Sequence, residues 1–142
     1  MKLRHLMLLS ASLILLSAPA FSQSIKETSY RNGKAYTVKV SDEDIKNTPS
    51  WNPEKEDVAP VSLRKAIEIA RANLKRFATK ADDKWDVRIV ELHQMGKDRW
   101  LYEVDFYCFL VKCGDDSDSF TIYVKMDGTI VEPEIAPDDR QK

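Results

Sequence analysis

Two cysteines, Cys108 and Cys113, have the most specific chemistry in this chain. In an exported protein an even cysteine count favours a disulfide. The five-residue spacing opposes it, because five residues of extended strand span about 17 Å, whereas bridged Cα atoms lie about 4.4–6.8 Å apart. Two alternatives follow: the strand breaks near Cys108 and the pair is a possible disulfide, or the strand is continuous and both thiols are free.

His93 is the only histidine apart from His5, which lies in the first few residues. A nucleophilic cysteine would need His93 beside it and a third group to orient the imidazole ring, and no local motif indicates this arrangement. A site of two cysteines and one histidine falls short of a structural zinc ligand set and lacks its cysteine spacing. We therefore predict no catalytic residue, no metal site and no cofactor, and place His93 on the surface of a strand.

Acidic residues offer two further kinds of chemistry. Asp115, Asp116 and Asp118 cluster in a turn, but the glycine and glutamate of a calcium-binding EF-hand loop are missing, so a solvated turn is expected. Glu103 and Asp105 alternate on a predicted strand. An enzyme would require such carboxylates to have strongly perturbed pKa values within a cleft.

The first 22 residues have the pattern of a secretory signal peptide. A basic start is followed by an apolar run of about 11 residues and by small residues typical of a cleavage site. The run is too short to span a bilayer, which needs about 20 residues. The sequence thus predicts an exported chain, periplasmic or secreted, with no membrane insertion after cleavage.

The length of the chain limits its number of domains, and its charge limits the classes of molecule that it binds. About 120 residues after the signal are enough for one domain with its own core. Once Lys2 and Arg4 leave with the signal, 20 basic residues stand against 23 acidic ones, a net charge of −3. This mildly acidic, mixed surface does not favour binding to nucleic acid or to an anionic membrane.

The segment from Pro60 to Phe77 has the clearest helical pattern. Ser62 is a suitable N-cap, and the apolar residues recur at helical spacing within a stripe about 100° wide. They are Leu63, Ala66, Ile67, Ala70, Leu74 and Phe77. A helix that packs this stripe against a core is expected.

Alternating apolar residues predict strands at Ala35–Val40 and Trp85–Met95, and a long antiparallel hairpin within Arg99–Glu132. Two adjacent apolar residues, Ile89 and Val90, interrupt the alternation and indicate a β-bulge or a change of covered face. The expected fold is α+β, with one main helix packed on an antiparallel sheet of about four strands.

Every residue from Phe106 to Val111 is apolar, so both faces of this stretch must be covered or the segment must leave the sheet. We expect the Ala35–Val40 strand and Trp51 to cover the second face. If the strand instead breaks near Cys108, Phe109, Leu110 and Val111 form an exposed apolar tip, and such a patch usually marks a partner-binding site.

The order of helix, strand, hairpin and glycine turn resembles the PepSY family, in a PepSY/cystatin-like layout. The similar segments are VSLRKAIEIARANL, RWLYEVDF and SFTIYVKMDGTIVEP, within residues 60–133. The resemblance implies an exported, non-catalytic binding module whose protein partner is a peptidase that it regulates or inhibits. A small exported enzyme or ligand binder, and an accessory subunit that pairs through a sheet edge, are the alternatives.

The resulting domain organisation has four parts. They are a signal peptide (1–22), an N-terminal strand with an acidic connecting arm (23–59), a helix-plus-sheet domain (60–135) and a polar tail (136–142).

Overall fold

The computed structural model describes residues 24–77, 84–108 and 119–141. Within them lie six strands, two α-helices and a closing 3-10 turn. In chain order the elements are β1 (Ile25–Arg31), β2 (Lys34–Val40), α1 (Asp42–Ile45), α2 (Leu63–Phe77), β3 (Trp85–Gly96), β4 (Arg99–Cys108), β5 (Ser119–Lys125), β6 (Glu134–Pro137) and the turn Asp139–Gln141.

The strands form two antiparallel sheets. The first has the order β1-β2-β6 and the second the order β3-β4-β5. The α+β class and the antiparallel pairing are therefore confirmed. The expectation of a single sheet of about four strands was wrong, because β1 and β6 add pairing partners on either side of β2.

A tight turn explains why β1 forms from a segment with few apolar residues. Asn32 and Gly33 both have positive φ angles, 51° and 69°. Two consecutive positive angles are the requirement of a type I′ hairpin turn, which matches the twist of the strands it connects. The turn sets Arg31 opposite Lys34, and backbone pairing then extends to Ile25 and Val40.

The C-terminal segment also departs from the prediction of a polar tail beginning at residue 136. Glu134–Pro137 pairs with β2, and the backbone N–H of Asp138 donates to the carbonyl of Gly33. Every β6 side chain is exposed. Backbone hydrogen bonds, rather than apolar burial, therefore hold this strand, and an apolar pattern could not have indicated it.

Helix α2 packs on the second sheet as predicted. The side-chain oxygen of Ser62 accepts a hydrogen bond from the backbone N–H of Lys65 at 3.2 Å, which caps the first turn. The buried positions are Ala66, Ala70, Leu74 and Phe77. Leu63, predicted to belong to the buried stripe, is 52% exposed because it begins the helix beyond the part that contacts the sheet.

One face of the second sheet forms the main core with α2. Its members from β4 and β5 are Tyr102, Val104, Phe106, Phe120, Ile122 and Val124. The β3–β4 register shifts between Val87 and Ile89, so the slip anticipated in the apolar pattern is a β-bulge. Because the bulge reverses the alternation, Val87 before it and Val90 after it both pack against this core.

The opposite face of the second sheet is covered by the first sheet. Val38 and Val40 pack with Leu101 and Tyr123. The expected cover over Phe106–Val111 stays a prediction, because most of that stretch lies outside the described residues. Trp51 does not contribute there. It packs against Trp100, next to the helix-side core.

Thr121 and Tyr123 lie on the face of β5 that points away from α2, yet both are buried, at 5% and 2% exposure. The reason is β1, whose formation was not predicted: its Glu27 lies over them and accepts a hydrogen bond from each.

Several predictions lie outside the described residues. They concern the signal peptide, the segment Phe109–Val111, Cys113 and the aspartates Asp115, Asp116 and Asp118. The bridge between Cys108 and Cys113 therefore stays a prediction. Within the described residues, no helix has both the length and the apolar character needed to cross a membrane.

Candidate functional site

Polar side chains gather on the face of the second sheet that points away from α2. We call this set the polar face. It consists of Arg88, Glu91, His93, Glu103, Asp105, Thr121 and Tyr123, with Glu27 from β1 lying over it.

The β3–β4 hairpin determines which of these residues meet. Its strands are joined by Lys97 and Asp98, with Gly96 paired to Arg99. This short connection and the register shift between Gln94 and Gly96 together place Glu91 directly opposite Glu103 and His93 opposite Leu101. Because alternate residues of a strand share a face, His93 lies next to the Glu91–Glu103 pair.

Glu91, His93 and Glu103 converge at the β3 side of the polar face. Their ligand atoms all lie within 4.8 Å of one another. Nε2 of His93 is 2.7 Å from Oε2 of Glu103 and 3.6 Å from Oε2 of Glu91. The side chains are 30% exposed for His93, 21% for Glu103 and 57% for Glu91. The group is thus half-buried and opens to solvent on the Glu91 side.

The short approach between His93 and Glu103 is not a hydrogen bond. Nε2 of His93 has almost no accessible surface, and no acceptor lies in line with it. The nitrogen and the carboxylate oxygen are at ion-pair distance without the alignment that an N–H donor requires.

Glu27 joins the two sheets across the polar face. Its Oε1 accepts from the hydroxyl of Thr121 at 2.9 Å, and its Oε2 accepts from the hydroxyl of Tyr123 at 2.7 Å. Burial raises the pKa of Tyr123 well above its usual value, and the neighbouring carboxylates of Glu27 and Glu103 raise it further. Tyr123 consequently remains a neutral donor between two carboxylates.

Asp105 occupies the next row of the polar face. Its Oδ2 accepts from Nε of Arg88 at 2.6 Å, while Oδ1 is buried without a hydrogen-bond partner. Burial raises the pKa of the Asp105 carboxyl, and the Arg88 guanidinium opposes that shift. Neither Asp105 nor Glu103 is fully solvated.

A separate cavity of about 290 Å³ lies beside the connecting arm, lined by Asn52, Pro53, Glu54, Gln94, Asp98 and Trp100. Trp51 holds the arm at this point. Its backbone N–H donates to the carbonyl of Asp98, and its carbonyl accepts from the indole of Trp100. Trp51 therefore pins the arm to the domain.

The predicted site residues are placed as follows. Cys108 ends β4 opposite Trp85, on the helix side and buried. His93 lies on the strand surface as predicted, eight residues along β3 from Trp85, or about 26 Å of extended strand. The structure therefore does not bring Cys108 and His93 together, and the described residues contain no Cys–His pair. Phe109, Leu110, Val111 and Cys113 lie outside the described residues.

Sequence reasoning missed the group formed by Glu91, His93 and Glu103. One signal could have indicated part of it: the alternation that sets Glu91 and His93 on one face. The pairing of Glu91 with Glu103 depends in addition on the register shift between Gln94 and Gly96, which the sequence pattern does not indicate.

No protein-family model, curated protein or solved structure matches the chain.

Proposed function

We propose that this chain is a small exported binding module that is not itself catalytic, and that its partner is a secreted or envelope peptidase which it regulates. Export rests on the signal-type sequence of residues 1–22. The peptidase rests on the resemblance of residues 60–133 to the PepSY family.

The observation that best supports a binding role is the hairpin stem formed by β4 and β5. The two strands are paired without interruption from Leu101–Lys125 to Tyr107–Ser119. Phe106 and Phe120, one pair before the end, are fully buried. The apolar residues Phe109, Leu110 and Val111 follow directly in sequence, and we propose that they form a loop carried by this stem. Binding residues are commonly carried by loops on such scaffolds.

The cysteines are consistent with this proposal. A bridge from Cys108 to Cys113 requires the extended chain to end near Cys108. The described part of the chain contains no free cysteine. We propose that this bridge closes a small loop around the three apolar residues.

A second candidate is an accessory subunit that pairs through the edge of β3. Among the described residues no strand pairs with the outer edge of β3. Two apolar side chains of this strand, Ile89 and Leu92, are 44% and 38% exposed. Two register irregularities interrupt the strand. Bulges of this kind protect natural sheet edges from pairing, so the hairpin stem is the better supported site.

The test is affinity capture from a cell-envelope extract with three tagged versions of the purified protein. These are the wild type, Leu110→Asp and a control, Val58→Asp, which adds the same charge at a position that is 78% exposed. The captured protein is then assayed for peptide hydrolysis with and without added module.

We expect the wild type and Val58→Asp to capture a peptidase and change its rate, and Leu110→Asp to do neither while melting at the same temperature. Equal capture by all three versions would place the site elsewhere. Unfolding of Leu110→Asp would show that the apolar run belongs to the core. A concentration-dependent dimer without captured partner would favour the edge-pairing alternative.

A further inference from the structure

Glu91, His93 and Glu103 bring two carboxylates and one imidazole ring together on the polar face. Glu91 and Glu103 are register partners on neighbouring strands, and like charges directly opposite each other destabilise a sheet. Among the described residues, neither carboxylate forms an ion pair with lysine or arginine, because Arg88 is engaged with Asp105. The compensating charge must therefore come from His93 or from a bound cation.

The geometry of His93 favours a cation. Nε2 approaches Oε2 of Glu103 to 2.7 Å, yet the two atoms do not have the alignment of a hydrogen bond. Lone pairs that point toward a common third atom produce this combination of short distance and poor alignment. Two ligands bound at about 2.0–2.2 Å to one tetrahedral metal ion lie about 3.4 Å apart. The separations of 2.7 Å and 3.6 Å fall on either side of that value.

We propose that Glu91, His93 and Glu103 bind one divalent transition-metal ion, with Zn²⁺ as the best match. An imidazole nitrogen with two carboxylates suits Zn²⁺ and its neighbours, whereas Ca²⁺ and Mg²⁺ prefer oxygen ligands throughout. Three protein ligands leave a fourth tetrahedral position free. Since Glu91 is the most exposed ligand, that position faces solvent and is accessible to water or to a donor from another molecule.

The surroundings support the site in the way that outer partners support known metal centres. The hydroxyl of Tyr123 donates its single proton to Glu27 at 2.7 Å, and the Glu103 carboxylate lies near it. Glu27 and Asp105 add two further carboxylates to the polar face, where Arg88 is the only arginine among its members. The resulting negative potential favours a cation.

The test is titration of the purified protein with Zn²⁺, followed by calorimetry and by NMR of the imidazole group. His93 is identified by the signals that disappear in His93→Gln. We expect one Zn²⁺ per chain and a shift of those signals. Loss of a residue that only orients a metal ligand costs about 10–100-fold in metal affinity, so His93→Gln and Glu103→Gln should each lose at least that much.

Two further variants keep the test decisive if Glu103→Gln fails to fold. Glu91→Gln changes an exposed ligand and should also weaken binding at least tenfold. Glu54→Gln changes an exposed glutamate away from the polar face and should bind Zn²⁺ as the wild type does. Zn²⁺ affinity that is unchanged in His93→Gln, tighter binding of Ca²⁺ than of Zn²⁺, or no binding at all would overturn the proposal.

Discussion

Tyr123 and Glu27, 96 residues apart in sequence, form a hydrogen bond of 2.7 Å between the two sheets. Tyr123 is in the edge strand β5 and Glu27 in the edge strand β1. The same carboxylate also accepts from Thr121, so one glutamate satisfies two buried hydroxyls. This contact places β1 over the polar face and buries side chains that would otherwise point to solvent.

The first prediction concerns this bond. Tyr123→Phe removes the hydroxyl and leaves the partly buried Glu27 with Thr121 alone, which should lower the free energy of unfolding by about 1–3 kcal/mol. Urea denaturation measures the loss. In a double-mutant cycle with Glu27→Gln, the two changes should couple, because both act on one contact. Strictly additive effects would show that the two side chains do not interact in solution.

The second prediction distinguishes two leucines of helix α2. Leu74 is 4% exposed and Leu63 is 52% exposed. Leu74→Ala should lower the free energy of unfolding by about 2–5 kcal/mol, because it leaves a cavity between the helix and the sheet. Leu63→Ala should change it by less than about 0.5 kcal/mol. Similar losses for both, measured by thermal or urea unfolding, would contradict the way this helix faces the core.

The helix and the second sheet were predictable because each buries one apolar face, and a buried face leaves a periodic apolar pattern in the sequence. The stripe from Ala66 to Phe77 and the alternation of β4 follow directly from one covered face. The first sheet was not predicted because neither β1 nor β6 shows an apolar alternation: β6 is held by backbone pairing, and β1 by backbone pairing and by the polar side chain of Glu27. The Asn32-Gly33 dipeptide was the available signal, since it favours a tight hairpin turn whatever the apolar pattern around it.

The candidate metal site was hidden for a different reason. His93 was considered alone, as a strand-surface residue, and that placement is correct. Its chemistry depends on Glu103, which the β3–β4 register brings beside it from ten residues away in sequence. A one-residue slip would move Glu103 to the other face, so the site becomes visible only when the turn and the bulge are known.

The third prediction concerns acid and the C-terminal segment. Asp138 accepts three hydrogen bonds from Arg140, two of them at 3.0 Å and one at 2.8 Å. The Arg140 side chain also lies over the ring of Tyr30 in β1. The hydrogen bond from Arg140 is the main reason why the pKa of Asp138 is held below its ordinary value.

The sign of the pH effect follows from that lowered pKa. A carboxyl whose folded pKa is below its unfolded value of about 3.9 stabilises the fold above that pH and loses the contribution as pH falls through the folded pKa. Wild type should therefore be more stable than Asp138→Asn at pH 6, and the difference should shrink below about pH 4. Urea unfolding at several pH values measures it. A difference that stays constant from pH 6 to pH 3 would contradict the assignment.

The fourth prediction compares two glycines at hairpin ends. Gly33 has a φ of +69° with no atom near the position that a Cβ would take, whereas Gly96 lies outside the positive-φ region and has open space except for Arg99 at 4.0 Å. Gly33→Ala should therefore cost about 1–2 kcal/mol through backbone strain alone, and Gly96→Ala less than about 0.5 kcal/mol. Because Gly33 sets the register of β1, the Gly33→Ala variant should also show faster amide exchange at Thr28 and Ser29 than the Gly96→Ala variant. Equal stability of the two variants would mean that the Asn32-Gly33 turn does not determine the first sheet.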